Sequence, residues 1–527
     1  MVTVAQRLLA LEGVTERGVH FEDSFVSWAD HVRASHARAA ALESFFEPGR
    51  PRHIGLLMDN IPEFSFVAGA AALSGGVVVG LNTTRRGAAL ERDIALADCA
   101  VVLTDSANAS LLEGFSQVPV LDVESESWRD LVAHAPAEHG PADTDGSALF
   151  MLIFTSGTSG DPKAVRCTHD KITGPGEMLA TRFGIGAGDV VYCAMPMFHS
   201  NAMMASWSVA LSGGASIALR RKFSASGFLP DVRRYGVTFS NYVGKIVSYI
   251  LATPELPDDA DNTLRIMYGN EGSATAVTEF ARRYGCRVVD GFGSTEGGIS
   301  ISAHPDSPAG ALGKLPDGVA ILDLETGQPC PPARFDASGR ILNADEATGE
   351  LVNVTGTGGF AGYYGNPEAD AERIRDGRYH SGDLAYLDAD GFVYFAGRTS
   401  GWLRVDGENL AVAPIERVLS RFPGFGQVAV YPVPDPDVGD RVMAAAVCTR
   451  EFDPTEFEEF LSAQADLGPK QVPTFVRLCR ELPRTATFKV LTRTLSAEAC
   501  NTPDPVWEFD RTSRRFSLLD SVRATSA

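Results

Sequence analysis

From about residue 24 to residue 219, short apolar runs alternate with longer segments that have the hydrophobic spacing of a helix. The apolar runs include HIGLLMD, VVVGL and AVVLTD, and SWADHVRASHARAAAL is one of the helical segments. Short apolar runs predict buried strands, and their alternation with helices predicts parallel α/β layers. The same rhythm recurs at TFSNYV with GKIVSYILATP, and at LRIMYGNEG with ATAVTEFARRYG.

Glycine-rich strand-and-turn sequence replaces this rhythm near GELVNVTGTGGFAGYYGNPEA and ends with GFVYFAGR at Arg398. A second α/β unit follows, in which QVAVYPVPD and RVMAAAVCT predict strands, and APIERVLSRFPG and DPTEFEEFLSAQADLG predict helices. We therefore expect a boundary close to Arg398, with an N-terminal domain at residues 1–398 and a C-terminal domain at residues 399–527.

One apolar segment, FVAGAAALSGGVVVGL at residues 66–81, raises the question of a membrane span. It is shorter than the ~20 residues that a transmembrane helix needs, and glycines interrupt it. It therefore predicts a buried helix followed by a strand. The N-terminal sequence MVTVAQRLLALEG has the wrong charges for a secretion signal. We expect a cytoplasmic protein with no transmembrane segment and at most peripheral membrane contact.

Composition changes this picture little, whereas charge disfavours two classes of partner. Hydrophobic residues make up 44% of the 527 residues and charged residues 21%, as in ordinary soluble globular proteins. The formal net charge is −21, and so acidic a surface repels nucleic acids and anionic membranes. The basic cluster RRKF at residues 220–223 is typical of a solvated loop, so we expect no nucleic-acid partner.

The cysteines are scattered and show no C-x-x-C spacing. They are Cys99, Cys167, Cys193, Cys286, Cys330, Cys448, Cys479 and Cys500. Zinc sites and the disulfide frameworks of small secreted proteins use close, regular spacings. We therefore expect reduced thiols and no zinc site.

Candidate chemistry begins with FTSGTSGDPKAV at residues 154–165. Its hydroxyl-bearing residues, glycines and lysine are Thr155, Ser156, Gly157, Thr158, Ser159, Gly160 and Lys163. Hydroxyls and unobstructed backbone N–H groups beside a positive charge can wrap a polyphosphate. The string is not a Walker A loop, because Pro162 precedes Lys163 and Ala164 follows it. A flexible turn is the alternative, since Gly, Ser and Thr are also the usual residues of loops.

TSGTSGDPKAV resembles the signature loop of the adenylate-forming superfamily, which includes acyl-CoA synthetases, adenylation domains of peptide synthetases and firefly luciferase. The usual family string is T-S-G-[ST]-[ST]-G-x-P-K-G, so Ala164 is a small departure. The resemblance implies the α/β adenylate-forming fold: a large N-terminal α/β domain of several subdomains, which binds ATP and the acyl group, and a small mobile C-terminal α+β domain. It also implies further motifs in a set order, and these are present.

Two motifs in the N-terminal part resemble the family's ATP-binding segments, YGNEG at residues 268–272 and DGFGSTEGG at residues 290–298. The resemblance assigns to ATP the residues Gly269, Asn270, Glu271, Asp290, Gly291, Phe292 and Gly293. Asp290 would meet the adenine amino group, and the ring of Phe292 would stack on the base. Thr295 would touch the α-phosphate, and Glu296 would bind Mg²⁺, which prefers carboxylate and phosphate oxygens.

Three further matches complete the implied site. YHSGDLAY contains Asp383, which matches the aspartate that accepts hydrogen bonds from both ribose hydroxyls. FAGR contains Arg398, and the planar guanidinium of the matching family arginine suits ribose or phosphate contact. LPRTATFKVL contains Lys489, which matches the catalytic lysine that stabilises charge between the carboxylate and the α-phosphate. A turn aspartate and a solubilising lysine are the alternatives, and the order of the motifs favours the functional interpretation.

The implied chemistry has two steps. A substrate carboxylate attacks the α-phosphorus of MgATP to give an acyl-adenylate and pyrophosphate, and the thiol of coenzyme A then displaces AMP. Between the steps the C-terminal domain rotates in this family and opens a pantetheine tunnel, for which Gly407 in RVDGENL is the match. The hinge falls at Ser400, followed by Gly401 where aspartate is usual, and this departure affects the domain rotation.

Several segments resemble one branch of the superfamily, the very-long-chain acyl-CoA synthetases and fatty-acid transport proteins, and within it actinobacterial ligases for fatty and sterol side-chain acids. They are NYVGKIVSYIL, RVDGENL, TATFKVL and DPVW. MPMFHSNAMMASW at residues 195–207 borders the acyl pocket in the family, where methionines suit a bulky apolar group. Methionines at helical spacing are also usual in a core. His199 matches a residue beside the acyl site, and we expect no base role because the acid is already ionised.

We therefore expect an AMP-forming acid–thiol ligase, an acyl-CoA synthetase for a long-chain or steroid side-chain acid. Its co-substrates would be ATP, Mg²⁺ and coenzyme A. A fatty acyl-AMP ligase that loads a carrier protein is one alternative, and a non-catalytic acyl- or nucleotide-binding relative is another. The acid itself is not set by the sequence, because one methylene changes binding by only ~1–3 kcal/mol. A homodimer is left open.

Overall fold

The computed structural model describes residues 2–135, 142–156, 162–244, 246–270, 272, 274–303, 306–308, 310–336, 341–398, 402–405, 408–435, 439–464, 467–484, 490–511 and 513–519. The chain forms two compact units. Unit 1 comprises residues 1–300 and 357–374, and unit 2 comprises residues 301–356 and 375–527. The boundary expected at Arg398 stays a prediction.

Unit 1 contains a six-stranded sheet in which the first five strands run parallel. In spatial order its strands are Val120–Asp122, Cys99–Thr104, His53–Leu57, Val77–Gly80, Leu149–Ser156 and Pro162–Thr168. The last two strands form an antiparallel hairpin, and its loop at residues 157–161 lies outside the described residues. The polyphosphate loop predicted from the sequence is therefore the connection of this hairpin.

The second sheet of unit 1 has eight strands. In spatial order they are Ser300–Ser302, Arg287–Gly293, Ile266–Asn270, Phe239–Val243, Val190–Cys193, Ser216–Leu219, Gly18–Phe21 and Ser24–Ser27. The six strands from Arg287–Gly293 to Gly18–Phe21 run parallel. The parallel α/β layers expected from the hydrophobic pattern are confirmed in both sheets.

Helices connect and cover these strands. The α-helices of unit 1 are Val4–Leu9, Trp28–Leu42, Pro62–Ser74, Gly87–Leu96, Glu126–Ala133, His169–Phe183, Ser200–Ala202, Ser208–Gly213, Ala225–Tyr235, Ile246–Leu251, Ala274–Tyr284 and Pro367–Arg373. A π-helical turn, Met203–Trp207, joins two of them, and Glu43–Phe45 and Ala109–Leu112 are 3₁₀ turns.

The apolar segment at residues 66–81 forms a buried helix and a strand, as predicted. The helix Pro62–Ser74 begins with a proline, whose missing N–H costs nothing in a first turn. It ends before Gly75, whose φ of +69° favours glycine. Its side chains are buried on nearly every face. Across the described part of the chain, no helix is both long enough and apolar enough to span a membrane.

Unit 2 contains two sheets. One has the order Gly313–Lys314, Phe392–Arg398, Arg378–Leu387, Gly349–Asn353, Val319–Leu322, and Ile374–Arg375 also pairs with Arg378–Leu387. The other has the order Glu408–Ala411, Trp402–Val405, Gly439–Cys448, Phe475–Leu478, Val506–Asp510, Arg515–Leu518, and Phe425–Asp435 also pairs with Gly439–Cys448. The helices are Ala344–Ala347, Val412–Leu419, Pro454–Ala463 and Thr492–Glu498.

Two features expected from composition are also settled by the fold. All eight cysteines lie in described segments and are free, so none forms a disulfide. The basic cluster at residues 220–222 is paired with acidic side chains of unit 1, because Arg220 contacts Asp231 and Lys222 lies 3.1 Å from Asp59. Its charge is therefore largely balanced within the unit.

Candidate active site

Three neighbouring parallel strands of unit 1 end at one edge of the eight-stranded sheet. They are Phe239–Val243, Ile266–Asn270 and Arg287–Gly293. Their register places Tyr242 beside Gly269, and Gly269 beside Asp290. In open α/β sheets, ligands bind outside the carboxyl ends of the parallel strands. Residues of the two predicted adenine-binding motifs therefore lie together where such a site is expected.

The third of these strands presents Asp290 and Phe292 on one face. Val289 and Gly291 are buried, whereas Asp290 and Phe292 are half-buried. This alternation follows from the period of two in a strand, which points successive side chains to opposite faces. An acidic side chain and an aromatic ring thus lie next to each other on the side that is not packed into the core, as adenine recognition requires.

Gly269 allows the close approach of the neighbouring strand. A Cβ at this position would overlap the carbonyl oxygen and the ring of Tyr242. The motif therefore needs glycine for close packing at this edge.

The carboxylate of Asp290 is oriented by a buried phenol. The hydroxyl of Tyr242 donates to Oδ1 of Asp290 at 2.6 Å, and the backbone N–H of Gly272 donates to the same oxygen at 3.3 Å. Tyr242 is fully buried, and burial together with the charge of Asp290 raises the pKa of the phenol far above its usual range. The phenol therefore stays protonated near neutral pH and remains a hydrogen-bond donor.

Thr295 contacts the segment that follows strand Val190–Cys193. Its hydroxyl lies 2.8 Å from the hydroxyl of Ser200, the first residue of helix Ser200–Ala202. The next residue, Asn201, donates to the carbonyl of Tyr242 at 3.3 Å and accepts a hydrogen bond from Asn241 at 2.5 Å. Thr295, the residue predicted to contact the α-phosphate, is thereby connected through hydrogen bonds to the strand that carries Tyr242.

The main chain around Glu296 forms a tight turn. The N–H of Gly297 donates to the carbonyl of Ser294 at 3.0 Å, and Gly297 has a φ of +67°, which favours glycine. The ammonium of Lys171, a buried side chain, donates to the carbonyl of Glu296 at 2.7 Å. The N–H of Gly359 donates to the carbonyl of Gly297 at 3.0 Å. Two distant segments, together with the turn's own hydrogen bond, thus hold this turn in place.

The Glu296 side chain is oriented by another buried phenol. The hydroxyl of Tyr363 donates to Oε1 of Glu296 at 3.0 Å. No group of three or more His, Cys, Asp or Glu side chains that could hold a metal occurs among the described residues. A single carboxylate suits a Mg²⁺ ion that arrives with a nucleotide, because Mg²⁺ usually takes one or two carboxylates, substrate phosphates and water. The donor set of the described residues therefore fits a Mg²⁺ ion that arrives with ATP.

Lys163 lies on the hairpin strand that follows the predicted polyphosphate loop, directly opposite Thr155. Its ammonium donates to the exposed carboxylate of Glu372 at 2.7 Å and lies 5.4 Å from the ring centre of Tyr363. The hydrogen bond with Lys163 lowers the pKa of Glu372. Since Tyr363 also contacts Glu296, one aromatic side chain links the predicted phosphate-binding lysine to the predicted magnesium ligand.

His199 is held beside a largely buried methionine-rich segment. The side chain of Asn60 accepts from the N–H of Met197 at 2.8 Å and donates to the carbonyl of Met195 at 2.8 Å, which fixes the segment before His199. Burial lowers the pKa of His199 to about 4, and its Nε2 makes no hydrogen bond to the described residues. The imidazole is therefore neutral near pH 7, and the expectation that it is no base stays a prediction.

A profile of the AMP-binding enzyme family matches residues 12–364, and a profile of the AMP-binding enzyme C-terminal domain matches residues 414–489. The chain belongs to the AMP-binding enzyme family. The first match spans the hairpin loop, both adenine motifs and Tyr363, and the second ends on Lys489. The membership expected from TSGTSGDPKAV is confirmed.

Curated relatives within the AMP-binding enzyme family cover nearly the whole chain. A protein of Mycobacterium marinum named medium/long-chain-fatty-acid–CoA ligase is 55% identical over 508 residues, which are 96% of this chain and 98% of that protein. A protein of Rhodococcus jostii named steroid-22-oyl-CoA synthetase is 46% identical over 534 residues, which are 99% of this chain and 96% of that protein.

Solved structures of AMP-binding enzymes share the fold. ATP-bound MatB from Rhodopseudomonas palustris matches with a TM-score of 0.83 at 23% identity, over 94% of this chain and 98% of that one. The o-succinylbenzoate CoA synthetase of Bacillus subtilis, solved with an acyl-adenylate, matches with a TM-score of 0.76 at 24% identity, over 93% and 97% of the two chains. The α/β fold class expected for this chain is confirmed.

In unit 2, two residues that the AMP-binding enzyme motifs predict lie on paired strands. Asp383 on strand Arg378–Leu387 is opposite Arg398 on strand Phe392–Arg398. The buried carboxylate of Glu350 accepts hydrogen bonds from Arg375 at 2.7 Å, His380 at 2.8 Å and the N–H of Gly382 at 2.9 Å. The residue before Asp383 is thereby fixed, so the β-ladder and Glu350 together position Asp383.

Several predicted residues cannot be placed. Gly157, Thr158, Ser159, Gly160, Glu271, Ser400, Gly407 and Lys489 lie outside the described residues. The side chains of Ser156 and Arg398 are likewise not described. Their roles stay predictions.

Sequence reasoning missed four side chains that hold the site: Tyr242, Tyr363, Lys171 and Ser200. Tyr242 lies in NYVGKIVSYIL, which the sequence marked only as typical of one branch. Tyr363 lies in the glycine-rich GGFAGYYG, where an aromatic residue gives no distinct signal. Their contacts join distant segments of the chain, such as Lys163 with Tyr363 and Lys171 with Glu296, and no local pattern reports such pairs.

Proposed function

We propose that this member of the AMP-binding enzyme family is an ATP-dependent acyl-CoA ligase. It would convert a long-chain or steroid side-chain carboxylic acid into its coenzyme A thioester through an acyl-adenylate, with release of AMP and pyrophosphate. The observation that carries the proposal is the arrangement in unit 1 around Tyr363, whose hydroxyl contacts Glu296 while its ring lies 5.4 Å from the Lys163 ammonium.

The residues of unit 1 would bind MgATP in a set orientation. Asp290 would accept a hydrogen bond from the adenine amino group, and Phe292 would contact the face of the base. The hydroxyls of Thr295 and Ser200, 2.8 Å apart, would donate to the α-phosphate. Glu296 would take the Mg²⁺ that accompanies the phosphates. Lys163 would release the exposed carboxylate of Glu372 and bind the β- and γ-phosphates instead.

The reaction would then proceed by two displacements. An oxygen of the substrate carboxylate forms a bond to the α-phosphorus as the bond to the bridging oxygen of pyrophosphate breaks. The thiol of coenzyme A next loses its proton and attacks the acyl carbon, and AMP leaves. Lys489 would offset charge during the first displacement, and Asp383 and Arg398 would hold the ribose. The chain's own part is therefore to align two anions that repel each other.

The proposed two-domain division places Lys489 on a separate body. Support comes from the packing of unit 2, where one buried cluster draws on residues 333–396 and two others draw on residues 403–516. These described clusters share no residue across Arg398. We propose that residues 399–527 form the mobile C-terminal domain, hinged at Ser400, with Gly407 beside the pantetheine.

The acid substrate is proposed from the named activities of the relatives, which include both medium- or long-chain fatty acids and steroid-22-oic acids. The methionines of MPMFHSNAMMASW support an apolar acyl site, since Met195, Met197 and Met203 are buried beside His199. Flexible thioether side chains accommodate either a linear or a polycyclic acyl group.

A substrate panel tests the function. The protein is incubated with MgATP and palmitate, a medium-chain fatty acid, a steroid-22-oic acid or benzoate, with and without coenzyme A, while AMP and thioester are measured. We expect AMP and thioester in equal amounts with a fatty or steroid acid, and neither product after chelation of Mg²⁺. Absence of AMP with every acid would contradict the proposal. Thioester on a carrier protein but not on coenzyme A would select the acyl-AMP ligase alternative.

A further inference from the structure

We propose that Lys171 is a positioning residue for the adenylation step, because its buried ammonium holds the turn that carries Thr295 and Glu296. This inference rests on the proposed function and extends it to a residue outside the recognised motifs. Lys171 touches neither predicted phosphate ligand through its side-chain hydrogen bond, which goes to the backbone carbonyl of Glu296 at 2.7 Å. It therefore acts through the main chain of the turn.

Lys171 is connected by the chain to the predicted phosphate loop. Strand Pro162–Thr168 begins at that loop and carries Lys163, and helix His169–Phe183 follows without a break. The hydroxyl of Thr168 caps this helix by accepting from the N–H of Lys171 at 3.2 Å. The rigid strand–helix junction thus fixes the base of Lys171 relative to Lys163, and both ammonium groups lie on segments that lead from one loop.

The turn is shaped to receive this side chain. Gly297 has a φ of +67°, and a Cβ at that position would lie 3.2 Å from Cε of Lys171, a very tight contact. Glycine at position 297 therefore serves both the backbone conformation and the passage of the lysine stem. The ammonium fixes the plane of the Glu296–Gly297 peptide, while Tyr363 fixes the Glu296 carboxylate at 3.0 Å.

Stability of the fold alone does not explain a lysine at this place. Only 8% of Lys171 is exposed, and a buried ammonium is costly even when it is hydrogen-bonded. An apolar side chain of the same length would fill the space without that desolvation cost. A positive charge that contacts the turn does, however, favour anionic phosphates bound by the residues of that turn. A turn that is already held in place also needs less reorganisation when they bind.

The test compares Lys171→Met, which keeps the unbranched stem of the side chain and removes both charge and donors, with Lys171→Arg, which keeps both. ATP–pyrophosphate exchange is measured as a function of ATP and Mg²⁺ at a saturating concentration of an accepted acid. We expect Lys171→Met to lower kcat/KM for ATP by about tenfold or more and to raise the Mg²⁺ needed for half-maximal rate, because displaced ligands misalign the phosphates. Lys171→Arg should recover most of the loss, and the KM for the acid should stay within about twofold of wild type.

Lys314→Met is the matched control. Lys314 also donates to a backbone carbonyl at 2.7 Å, that of Asp390, but it is exposed and lies in unit 2. Its replacement should leave kcat/KM for ATP and the Mg²⁺ requirement unchanged. Melting temperatures of all variants separate loss of fold from loss of positioning, because a purely structural lysine would lower activity only as far as it lowers stability.

Each outcome decides the matter. A Lys171→Met protein that folds and keeps kcat/KM for ATP within about twofold of wild type overturns the proposal. If Lys171→Met does not fold, Lys171→Leu, which also lacks both the charge and the donors, is held to the same criterion. If neither variant folds, Lys171 serves the fold and the proposal is wrong. Wild-type protein that releases no AMP would instead refute the proposed function itself.

Discussion

At the scale of single residues, the acidic group predicted to recognise adenine depends on a neighbour that the motif does not contain. Tyr242 is fully buried on strand Phe239–Val243, which is separated from the strand of Asp290 by strand Ile266–Asn270. Its hydroxyl donates to Asp290 at 2.6 Å. Together with the N–H of Gly272 it saturates Oδ1 of Asp290 and so sets the plane of the carboxylate. The direction of the second carboxylate oxygen is therefore determined before a nucleotide arrives.

Removal of this hydroxyl should weaken ATP binding. Tyr242→Phe leaves Oδ1 of Asp290 without its shortest hydrogen bond, and loss of one partner of a buried polar pair costs about 1–3 kcal/mol. We expect the KM for ATP to rise about fivefold or more while kcat changes little, since the adenine is remote from the reacting phosphorus. ATP–pyrophosphate exchange at varied ATP measures both parameters.

Tyr192→Phe is the matched control for this prediction. Tyr192 donates to a carboxylate of the same unit, that of Asp231, at 2.8 Å, and it is also buried. It lies on strand Val190–Cys193 away from the adenine motifs. An equal rise in the KM for ATP in both variants would show that Tyr242 acts on the fold and not on Asp290.

At the scale of elements, the close approach of strands Phe239–Val243 and Ile266–Asn270 depends on one glycine. Gly269→Ala would drive a methyl group into the main chain of Tyr242, whose neighbours are packed on both sides. Overpacking of this kind costs about 1–3 kcal/mol. We expect a lower denaturant midpoint and a higher KM for ATP together, because the displaced strand end carries Tyr242.

Gly186→Ala is the control, because a Cβ at Gly186 meets no atom within 4 Å and the residue lacks a positive φ. Its denaturant midpoint and its KM for ATP should match those of wild type. A Gly269→Ala protein with the wild-type midpoint would contradict the packing argument.

A second element-scale feature is the buried arginine that closes helix Ala274–Tyr284. Arg283 pairs with Asp259 at 2.6 Å and donates to the carbonyls of Leu251, Thr253 and Pro254. These bonds anchor the connection after helix Ile246–Leu251. Arg283→Met leaves Asp259 as an unpaired buried carboxylate and should lower the free energy of unfolding by about 3–5 kcal/mol.

The adjacent Arg282→Met provides the control in the same helix turn. Arg282 pairs with Glu255 and Glu279 on the exposed surface. Exposed ion pairs contribute little to stability because solvent screens them. In urea unfolding, the free energy of unfolding should fall strongly for Arg283→Met and hardly at all for Arg282→Met. Similar decreases in both variants would contradict the anchoring role of Arg283.

At the scale of the whole molecule, three histidines of unit 1 link stability to pH: His31 and His169 are buried, and His199 is half-buried. Burial lowers the pKa of His31 to about 3 and the pKa values of His169 and His199 to about 4. His31 also lies in a buried hydrogen-bond network with Ser65 and Trp207, at 2.7 and 2.8 Å. Between pH 5 and pH 6.5 these imidazoles are therefore neutral in the folded protein and gain protons when it unfolds.

The sign of the pH dependence follows. Each of these histidines has a lower pKa in the folded protein than in the unfolded chain, where the pKa is about 6.5. Above pH 6.5 such a histidine does not change the free energy of unfolding, and below pH 6.5 it lowers that free energy as the pH falls. We expect the free energy of unfolding to fall between pH 6.5 and pH 5, with each histidine contributing up to about 1.4 kcal/mol per pH unit. Urea unfolding at constant ionic strength across this window measures the slope.

A variant pair assigns that slope. His31→Gln should make the slope smaller by about one proton's contribution. His134→Gln is the control, because His134 is exposed and directly follows helix Glu126–Ala133. A flat stability profile between pH 6.5 and pH 5 in the wild-type protein would show that these histidines take up no extra protons on unfolding.

Much of the architecture could be predicted because it depends on local patterns. The helix at residues 28–42 and the helix–strand pair within residues 66–81 appear where apolar spacing and glycine indicated them. The order of the strands in the sheet could not be predicted from the sequence. Strand Val190–Cys193, for example, lies between Ser216–Leu219 and Phe239–Val243, which both follow it in the chain. Such pairings depend on which apolar faces meet in three dimensions.

The sequence by itself determined the family, the phosphate-loop string and the order of the ATP-binding motifs, because each of these is written in consecutive residues. Only the tertiary structure decided which side chains hold the motif residues in place. Tyr242 beside Asp290, Tyr363 between Lys163 and Glu296, and Lys171 behind Glu296 come from strands and helices far apart in the chain. The physical reason is that burial joins distant segments, and a buried polar group must find its partner wherever the fold places one.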